Sequence, residues 1–360
     1  MEAKTKRNSS IELMKVIAIL MIILSHSMPD GDGSLGASYI DIDTVTTDWQ
    51  LLLAGLFKNM GQIGNDIFLV ASCWFLVDSK QAKRSKIAGF LADSWFCSIL
   101  MLIVFLILGY SFSLKYIVKQ FFPATFNNCW FLTCFVLFYM IHPLLHVALE
   151  SMERKTLLRF NIMFFIMYNC MGFIMGNTMF YFSELIGFCG FYFLVGYIKK
   201  YASEKYMDKR RNFLILLAGI VLWLVSFAAT DFLGFKVSLL SDQLMRWDTI
   251  MNPCFVLIGI GSFGLAHTGE FYNSFINYIS SLSLIIYMLH ANIIIRQYGR
   301  WDLFAWIKAN YGYSKLIFWI LSYALVNILA SIIVASIYDK TFRKYFHGGF
   351  DYICKKLIRE

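Results

Sequence analysis

The chain has 360 residues, of which 59% are hydrophobic and only 15% are charged. This composition excludes an ordinary soluble globular protein, since about a quarter of the residues of such proteins are charged. It is typical of a chain that lies almost entirely in or beside a membrane. The formal net charge of +9 therefore indicates basic loops on the cytoplasmic side of a membrane and does not indicate nucleic-acid binding.

Hydrophobic runs predict an all-α, polytopic bundle of about ten membrane-spanning helices, in which residues 1–360 form one domain without a soluble module. The predicted spans are 10–28, 60–78, 88–110, 128–149, 160–177, 181–198, 212–230, 249–266, 277–296 and 315–337. With the amino terminus inside, 22 of the 32 Lys and Arg residues fall in inner segments and 8 in outer ones. Because Lys and Arg accumulate in cytoplasmic loops, both termini are predicted to be cytoplasmic.

The eight cysteines do not indicate a metal site or a disulfide framework. All except Cys354 lie in apolar runs, and the sequence contains no C-x-x-C pair and no histidine at metal-ligand spacing from a cysteine. We therefore expect these cysteines to be small apolar packing residues, and we expect no bound metal.

The first hydrophobic segment carries polar residues on one face. Only Val16–Leu24 is uninterruptedly apolar, so a span of about 20 residues must include Lys15 and His26. These two residues are eleven positions apart. On an α-helix they point the same way, about 16 Å apart along the axis. Because polar groups inside a membrane tend to face a cavity or a bundle interior, this shared face favours a functional role.

A structural role is the alternative for each of these residues taken alone. Lys15 can extend to the lipid headgroups, or it can pair with Glu12 three residues earlier on the same helix. His26 can mark the far membrane interface. The common face of the set favours the functional interpretation over the structural one.

Two other predicted spans place polar side chains near the depth of His26. Asp66 lies in the outer half of the second span, and a buried carboxylate next to a histidine fixes its tautomer and raises its basicity. Alternatively, Asn65 and Asp66 cap the start of a helix. Tyr287 and His290 share one stripe of the ninth span, which predicts a polar cavity, although the serines on that stripe are also typical of helix packing.

Basic residues follow the second span, and Asn128 and Trp130 lie at the start of the fourth. Lys83, Arg84 and Lys86 are by default an anchor on the cytoplasmic side, but together with Lys15 they could hold an anionic phosphate ligand. A second set, Asn128 and Trp130, lies at the predicted outer mouth of the fourth span.

Four segments, in order along the chain, resemble motifs of the acyltransferase-3 family of integral membrane O-acyltransferases, which modify bacterial surface glycans and related acceptors. Lys15 and His26 have the spacing of an Arg and a His in the first helix of that family. The other three segments are Gly64–Phe75, Trp130-Phe131-Leu132 continuing to Tyr139 and Pro143-Leu144-Leu145, and Ser283–His290 with its Ser-x-x-Ile-Tyr-x-x-His pattern.

The chain departs from the family pattern at three places. Lys15 replaces the family's Arg, which keeps the charge but loses the bidentate fork for phosphate or carboxylate. Cys73 stands where the family usually has Gly. The basic pair expected after the second helix is here Lys83 and Lys86, with Arg84 between them. The changes at Lys15 and in this basic pair bear more on donor handling than on the histidine chemistry.

The resemblance implies a multi-pass protein of the bacterial cytoplasmic membrane, in contact with membrane lipids. It also implies acetyl-CoA or another acyl-CoA as the cytoplasmic donor substrate, and a hydroxyl of a cell-surface or lipid-linked glycan as acceptor.

Residue roles follow from this resemblance. Lys15, Lys83, Arg84 and Lys86 would hold the phosphates of the donor, and Asn128 and Trp130 would contact the acceptor. His26 would be the general base or would itself carry the acyl group, and Asp66 would orient it. Tyr287 or His290 would donate a hydrogen bond to the developing oxyanion.

Two other functions fit the same polar stripes. A transporter or flippase of a lipid-linked glycan would line its path with them, but the sequence shows no inverted repeat. A non-catalytic sensor that kept the fold is a third possibility, suggested by Lys15 in place of the family's Arg.

Overall fold

The computed structural model describes residues 7–28, 48–171, 184–229, 252–312 and 314–358, and in these residues the secondary structure is helical, without strands. The helices are α1 Ser9–His26, α2 Asp48–Leu76, α3 Arg84–Ile107, α4 Leu114–Gln120, α5 Trp130–Ser151, α6 Arg154–Phe164, α7 Glu184–Tyr201, α8 Ser203–Tyr206, α9 Lys209–Phe227, α10 Pro253–His267, α11 Ser274–Ser281, α12 Ser283–His290, α13 Trp301–Tyr311, α14 Leu316–Thr341 and α15 Arg343–Ile358. Two π-helical turns, Phe165–Met171 and Ile295–Arg300, follow α6 and precede α13.

The described residues form two compact units. Unit 1 contains those within 1–22, 55–81 and 141–281, and unit 2 contains those within 23–54, 82–140 and 282–360. The chain therefore alternates between the units several times, and the first helix contributes its amino-terminal part to unit 1 and its last turn to unit 2.

Five helices in the described part of the chain are long and apolar enough to cross a membrane: α1, α3, α5, α9 and α14. The predicted all-α membrane fold is thereby confirmed, whereas the count of ten spans and the cytoplasmic termini stay predictions. Parts of the predicted spans 160–177, 181–198, 212–230 and 249–266 lie outside the described residues.

The predicted ninth span, 277–296, is not one continuous helix. Helix α11 ends at Ser281 and α12 begins at Ser283, and beyond α12 the Asn292 side chain accepts the backbone N–H of Ile294 at 2.9 Å. Short polar side chains compete with the helix for backbone hydrogen bonds, which explains the break after α12. Consequently Ser280 belongs to unit 1, whereas the candidate site residues Tyr287 and His290 of α12 belong to unit 2.

The start of α1 is fixed within unit 1 by hydrogen bonds. The Asn8 side chain caps the helix by accepting the backbone N–H of Ser10 at 3.0 Å, as N-cap residues do. The Ser9 hydroxyl donates to Asn277 Oδ1 at 2.8 Å and accepts the backbone N–H of Asn273 at 2.7 Å. These contacts attach the first turn of α1 to α11 and to the residues just before it.

A buried carboxylate in α3 holds the carboxyl-terminal helix of unit 2. Asp93 is 1% exposed, and it accepts hydrogen bonds from Tyr338 at 3.1 Å, Arg343 at 2.9 Å and His347 at 2.7 Å. Tyr338 lies in α14, and Arg343 and His347 lie in the first two turns of α15. Because pairing offsets the desolvation cost of a buried carboxylate, this network holds α15 against α3.

Glycines allow α9 and α10 of unit 1 to approach each other closely. A Cβ atom at Gly261 would lie 2.5 Å from the backbone nitrogen of Leu216, and one at Gly264 would lie 2.3 Å from the Asn212 side chain. Small residues at such positions are typical of membrane helices that pack backbone to backbone.

The substitution Gly261→Ala is therefore expected to lower the thermal unfolding temperature of the purified protein, because the new methyl group meets backbone that cannot move away. Overpacking of this kind costs about 1–3 kcal/mol. Gly348→Ala is the matched control, since a Cβ atom there has no atom within 4 Å. Equal unfolding temperatures for the two variants would contradict the close approach.

Candidate active site

Two histidines at helix ends meet in unit 2. His26 is the last residue of α1, and His290 is the last residue of α12. His26 Nδ1 lies 3.1 Å from His290 Nε2, and the ring centroids are 5.2 Å apart. His290 is 4% exposed, whereas His26 is only partly buried. The pair therefore presents His26, and not His290, to the surroundings.

The second nitrogen of His290 determines the direction of this hydrogen bond. His290 Nδ1 lies 2.8 Å from the backbone oxygen of Ile286. A carbonyl oxygen can only accept, so His290 Nδ1 carries a proton and donates it. With both rings neutral, His290 Nε2 then accepts the Nδ1–H of His26. This arrangement leaves the basic lone pair of His26 on Nε2.

Tyr287 packs beside both imidazoles and is 5% exposed. Its ring centroid is 6.2 Å from that of His26 and 5.7 Å, edge-on, from that of His290. Phe131 of α5 contacts Tyr287 at 5.7 Å, also edge-on. Aromatic rings in these orientations fix one another, so the four side chains form one ordered cluster within unit 2.

Arg300 is a site residue that the sequence did not reveal. It is 3% exposed, and its Nη1 donates to the backbone oxygen of His26 at 2.7 Å. A guanidinium at the carboxyl end of a helix offsets the partial negative charge of the last carbonyl groups. Arg300 ends the π-helical turn Ile295–Arg300, a type of local structure that is frequent at functional sites.

Lys15 forms an ion pair with Glu12 one turn earlier on α1, with Nζ and Oε2 2.7 Å apart. The pairing that the sequence offered as an alternative is thus confirmed. Because Glu12 is 8% exposed, the ammonium group of Lys15 offsets a buried carboxylate. Binding of a donor phosphate by Lys15 stays a prediction.

Asp66 is completely buried in unit 1. A Cβ atom at Gly259 of α10 would lie 3.3 Å from the backbone carbonyl group of Asp66, so α10 packs directly on α2 at this point. Neither carboxylate oxygen accepts a hydrogen bond from the residues that the structure describes. The orienting role that the sequence suggested for Asp66 stays a prediction.

The basic residues before and within the first turn of α3 are in unit 2. The backbone N–H of Lys83 donates to the Tyr139 hydroxyl at 3.0 Å, and Lys86 Nζ lies 5.8 Å from the centre of the Tyr139 ring. Arg84 Nε lies 3.3 Å from Asp351 of α15. The three residues are thus close together, and the ammonium groups of Lys83 and Lys86 belong to exposed residues.

Asn128 belongs to a buried polar network in unit 2. Its side-chain nitrogen donates to Gln120 Oε1 at 2.7 Å and to Ser98 Oγ at 3.2 Å. The network joins the residues before α5 to α3 and α4. Trp130 is partly buried at the start of α5 and contacts Phe131, with ring centroids 5.7 Å apart. Contact of Asn128 and Trp130 with an acceptor stays a prediction.

Comparison with known families gives one match. A family model described as an acyltransferase domain matches residues 8–336. The matched range contains the two histidines, Tyr287 and Arg300, and it leaves out the carboxyl-terminal helix α15. Comparison with curated proteins and with solved structures gives no match.

The site geometry predicts different chemical reactivity for the two histidines. Diethyl pyrocarbonate attacks an unprotonated imidazole nitrogen that it can reach. We expect His26 to be modified much faster than His290, because His290 is buried and both of its nitrogens are engaged. Peptide mass spectrometry after timed exposure gives both rates, and His26→Gln is the control that removes the fast site. Equal rates, or faster modification of His290, would contradict the geometry.

Proposed function

Because the chain belongs to the acyltransferase-3 family, we propose that this membrane acyltransferase moves an acyl group from cytoplasmic acyl-CoA to a glycan hydroxyl, with His26 as general base. The acyl group is proposed to be acetyl, and the glycan is proposed to belong to the cell surface or to be lipid-linked. The hydrogen bond of 3.1 Å between the two histidines carries the proposal, because it directs the basic nitrogen of one imidazole away from the other.

In the proposed reaction the acyl group moves from the thioester sulfur to the acceptor oxygen, and a proton moves the opposite way through His26. His26 Nε2 removes the proton from the acceptor hydroxyl while the hydroxyl oxygen attacks the thioester carbonyl carbon. The carbon–sulfur bond breaks, and the protonated His26 returns its proton to the departing thiolate. Through these steps the Nδ1–H of His26 keeps donating its hydrogen bond to His290 Nε2, and this hydrogen bond stabilises the transient imidazolium.

This geometry favours a different role for His290 from the oxyanion donor suggested by the resemblance. One nitrogen of His290 is bonded to Ile286 and the other to His26. His290 is therefore proposed as a positioning residue for His26. Of the two candidate oxyanion donors, Tyr287 keeps that role, and Arg300 fixes the backbone of His26.

The donor is proposed to bind through its phosphates at the basic residues Lys15, Lys83, Arg84 and Lys86. Arg84 and Asp351 are both partly exposed, with side-chain exposures of 26% and 36%. Because partly exposed ion pairs contribute little to stability, a phosphate group can replace the carboxylate at low cost. The topology proposed with this site has about ten spans and both termini in the cytoplasm of a bacterial cell.

Replacement of the base is expected to abolish most of the activity. His26→Ala should lower the rate of acyl transfer by about 10²–10⁴-fold, the usual contribution of general acid–base catalysis. The measurement is transfer of a labelled acyl group from acyl-CoA to surface glycan in membranes that contain equal amounts of protein. His146→Ala is the control, and full activity of His26→Ala would exclude the mechanism.

A second pair of variants separates positioning by His290 from hydrogen-bond donation to the oxyanion. His290→Gln can still accept the Nδ1–H of His26 through its amide oxygen, whereas His290→Ala cannot. We expect both variants to lose activity and the Gln variant to retain more than the Ala variant, mainly through kcat. Equal losses in the two variants would contradict the positioning role.

A further inference from the structure

Four half-buried aromatic rings in unit 2 form what we term the aromatic platform: Tyr110, Phe112, Tyr116 and Tyr298. Phe112 and Tyr116 are stacked, with ring centroids 5.1 Å apart and an interplanar angle of 13°. Tyr298 meets Phe112 edge-on at 5.2 Å, Tyr116 at 6.0 Å and Tyr110 at 5.8 Å. Each of the four residues is partly exposed, so the platform can contact a ligand.

The platform rests on a small apolar core of unit 2. Leu102 and Phe105 of α3 and Ile294 are buried, with exposures of 4%, 7% and 0%, and the platform rings pack against them. A Cβ atom at Gly299 would lie 2.9 Å from the Phe105 ring, so the π-helical turn lies directly on this core. The rings are therefore held in place before any ligand binds.

Polar groups lie at the edge of the aromatic platform. The Tyr110 hydroxyl donates to Asp302 Oδ2 at 2.6 Å, and the Tyr116 hydroxyl donates to Gln297 Oε1 at 3.3 Å. The hydrogen bond to Asp302 raises the pKa of Tyr110 above its usual value, so this hydroxyl stays a donor at physiological pH. A carboxylate and a carboxamide are thereby fixed beside the partly exposed rings, and we call these two side chains, Asp302 and Gln297, the polar edge.

One short segment connects the platform to the catalytic histidine. The π-helical turn Ile295–Arg300 contains Gln297 and Tyr298, and its last residue, Arg300, donates to the backbone oxygen of His26 at 2.7 Å. The predicted spans leave residues 111–127 and 297–314 in outer loops, and these loops contain all of the platform and its polar edge except Tyr110, which ends the predicted span 88–110 at the outer face. A ligand on the platform would therefore approach from the side of the acceptor.

We propose that the aromatic platform and its polar edge bind a pyranose ring of the acceptor glycan and present it to His26. This inference rests on the proposed function and adds the place where the acceptor is recognised. The C–H face of a sugar ring matches an aromatic surface, and its neighbouring hydroxyls match the carboxylate of Asp302 and the amide of Gln297. Sites of this kind combine aromatic walls with a few fixed polar groups.

An aromatic belt at the membrane surface is the competing explanation, because tyrosines collect at that depth in many membrane proteins. A belt needs only the amphipathic character of the rings. It needs neither the stacked pair of rings nor the fixed carboxylate and amide. The two explanations differ in one measurable property, which is the affinity for a soluble sugar.

Saturation-transfer NMR on the full-length protein in lipid nanodiscs tests the platform without an enzymatic assay. The probes are the methyl β-pyranosides of glucose, galactose, mannose and N-acetylglucosamine. We expect at least one of them to receive saturation from the wild-type protein. Phe112→Leu, Tyr298→Leu and Asp302→Asn should each weaken its binding about tenfold, which is the loss expected for one aromatic or hydrogen-bonding contact.

Two reference variants make the result specific. Tyr345→Leu removes a tyrosine that is 77% exposed on α15, far along the chain from the platform, and should bind the pyranosides like the wild type. His26→Ala should also keep binding, so that loss of transfer with retained binding separates the chemistry from recognition. The proposal is overturned if no pyranoside receives saturation from the wild-type protein, or if the platform variants bind as well as Tyr345→Leu. If Phe112→Leu or Tyr298→Leu fails to fold, the comparison rests on Asp302→Asn, because Asp302 is exposed and its substitution does not disturb the core.

Discussion

A single backbone oxygen, that of Ile286, sets the direction of the hydrogen bond between His290 and His26, and with it the nitrogen of His26 that is proposed to act as the base. It fixes the proton on His290 Nδ1, and His290 Nε2 in turn fixes the proton on His26 Nδ1. The basic lone pair is then placed on the opposite side of the His26 ring. In many hydrolases an ionised carboxylate has the corresponding role, but here a neutral imidazole supplies it. A neutral partner avoids the large desolvation cost of a charge inside a membrane.

The ends of helices bring these groups together. Helix α1 ends at His26, helix α12 ends at His290, and the π-helical turn that follows directs Arg300 back to α1. Irregular backbone is tolerated within a membrane protein only where other protein groups satisfy its hydrogen bonds. Arg300 does this for the last carbonyl of α1, so the broken segment and α1 stabilise each other. The same turn carries Tyr298 of the aromatic platform, so the proposed acceptor site and the proposed base are held by one short segment.

The sequence predicted the long helices well and the interrupted ones poorly. The predicted spans 88–110, 128–149 and 315–337 correspond to Arg84–Ile107, Trp130–Ser151 and Leu316–Thr341. Continuous apolar runs are sufficient to predict such helices. The break after His290 depends on the Asn292 side chain, a local competition for hydrogen bonds that hydrophobicity does not report.

Some residues of the candidate site could be predicted from the sequence, and others could not. The shared depth of His26 and His290 was visible in their spacing along two predicted spans, and the structure places their rings in contact. Arg300 lies beyond the end of the predicted ninth span, among the basic residues of the outer segments. Its burial depends on a turn that the sequence did not predict. The partner of Lys15 could be anticipated, since Glu12 precedes it by three residues on one helix.

The protonation state of His26 tests the central claim most directly. Solid-state NMR of the protein with ¹⁵N-labelled histidine distinguishes the two neutral tautomers, and His26→Gln assigns the signal. The hydrogen bonds from Ile286 through His290 to His26 predict that neutral His26 carries its proton on Nδ1, and that His290→Ala removes this preference. A proton on Nε2 of neutral His26 in the wild-type protein would contradict this arrangement, and with it the proposal that His26 is the base.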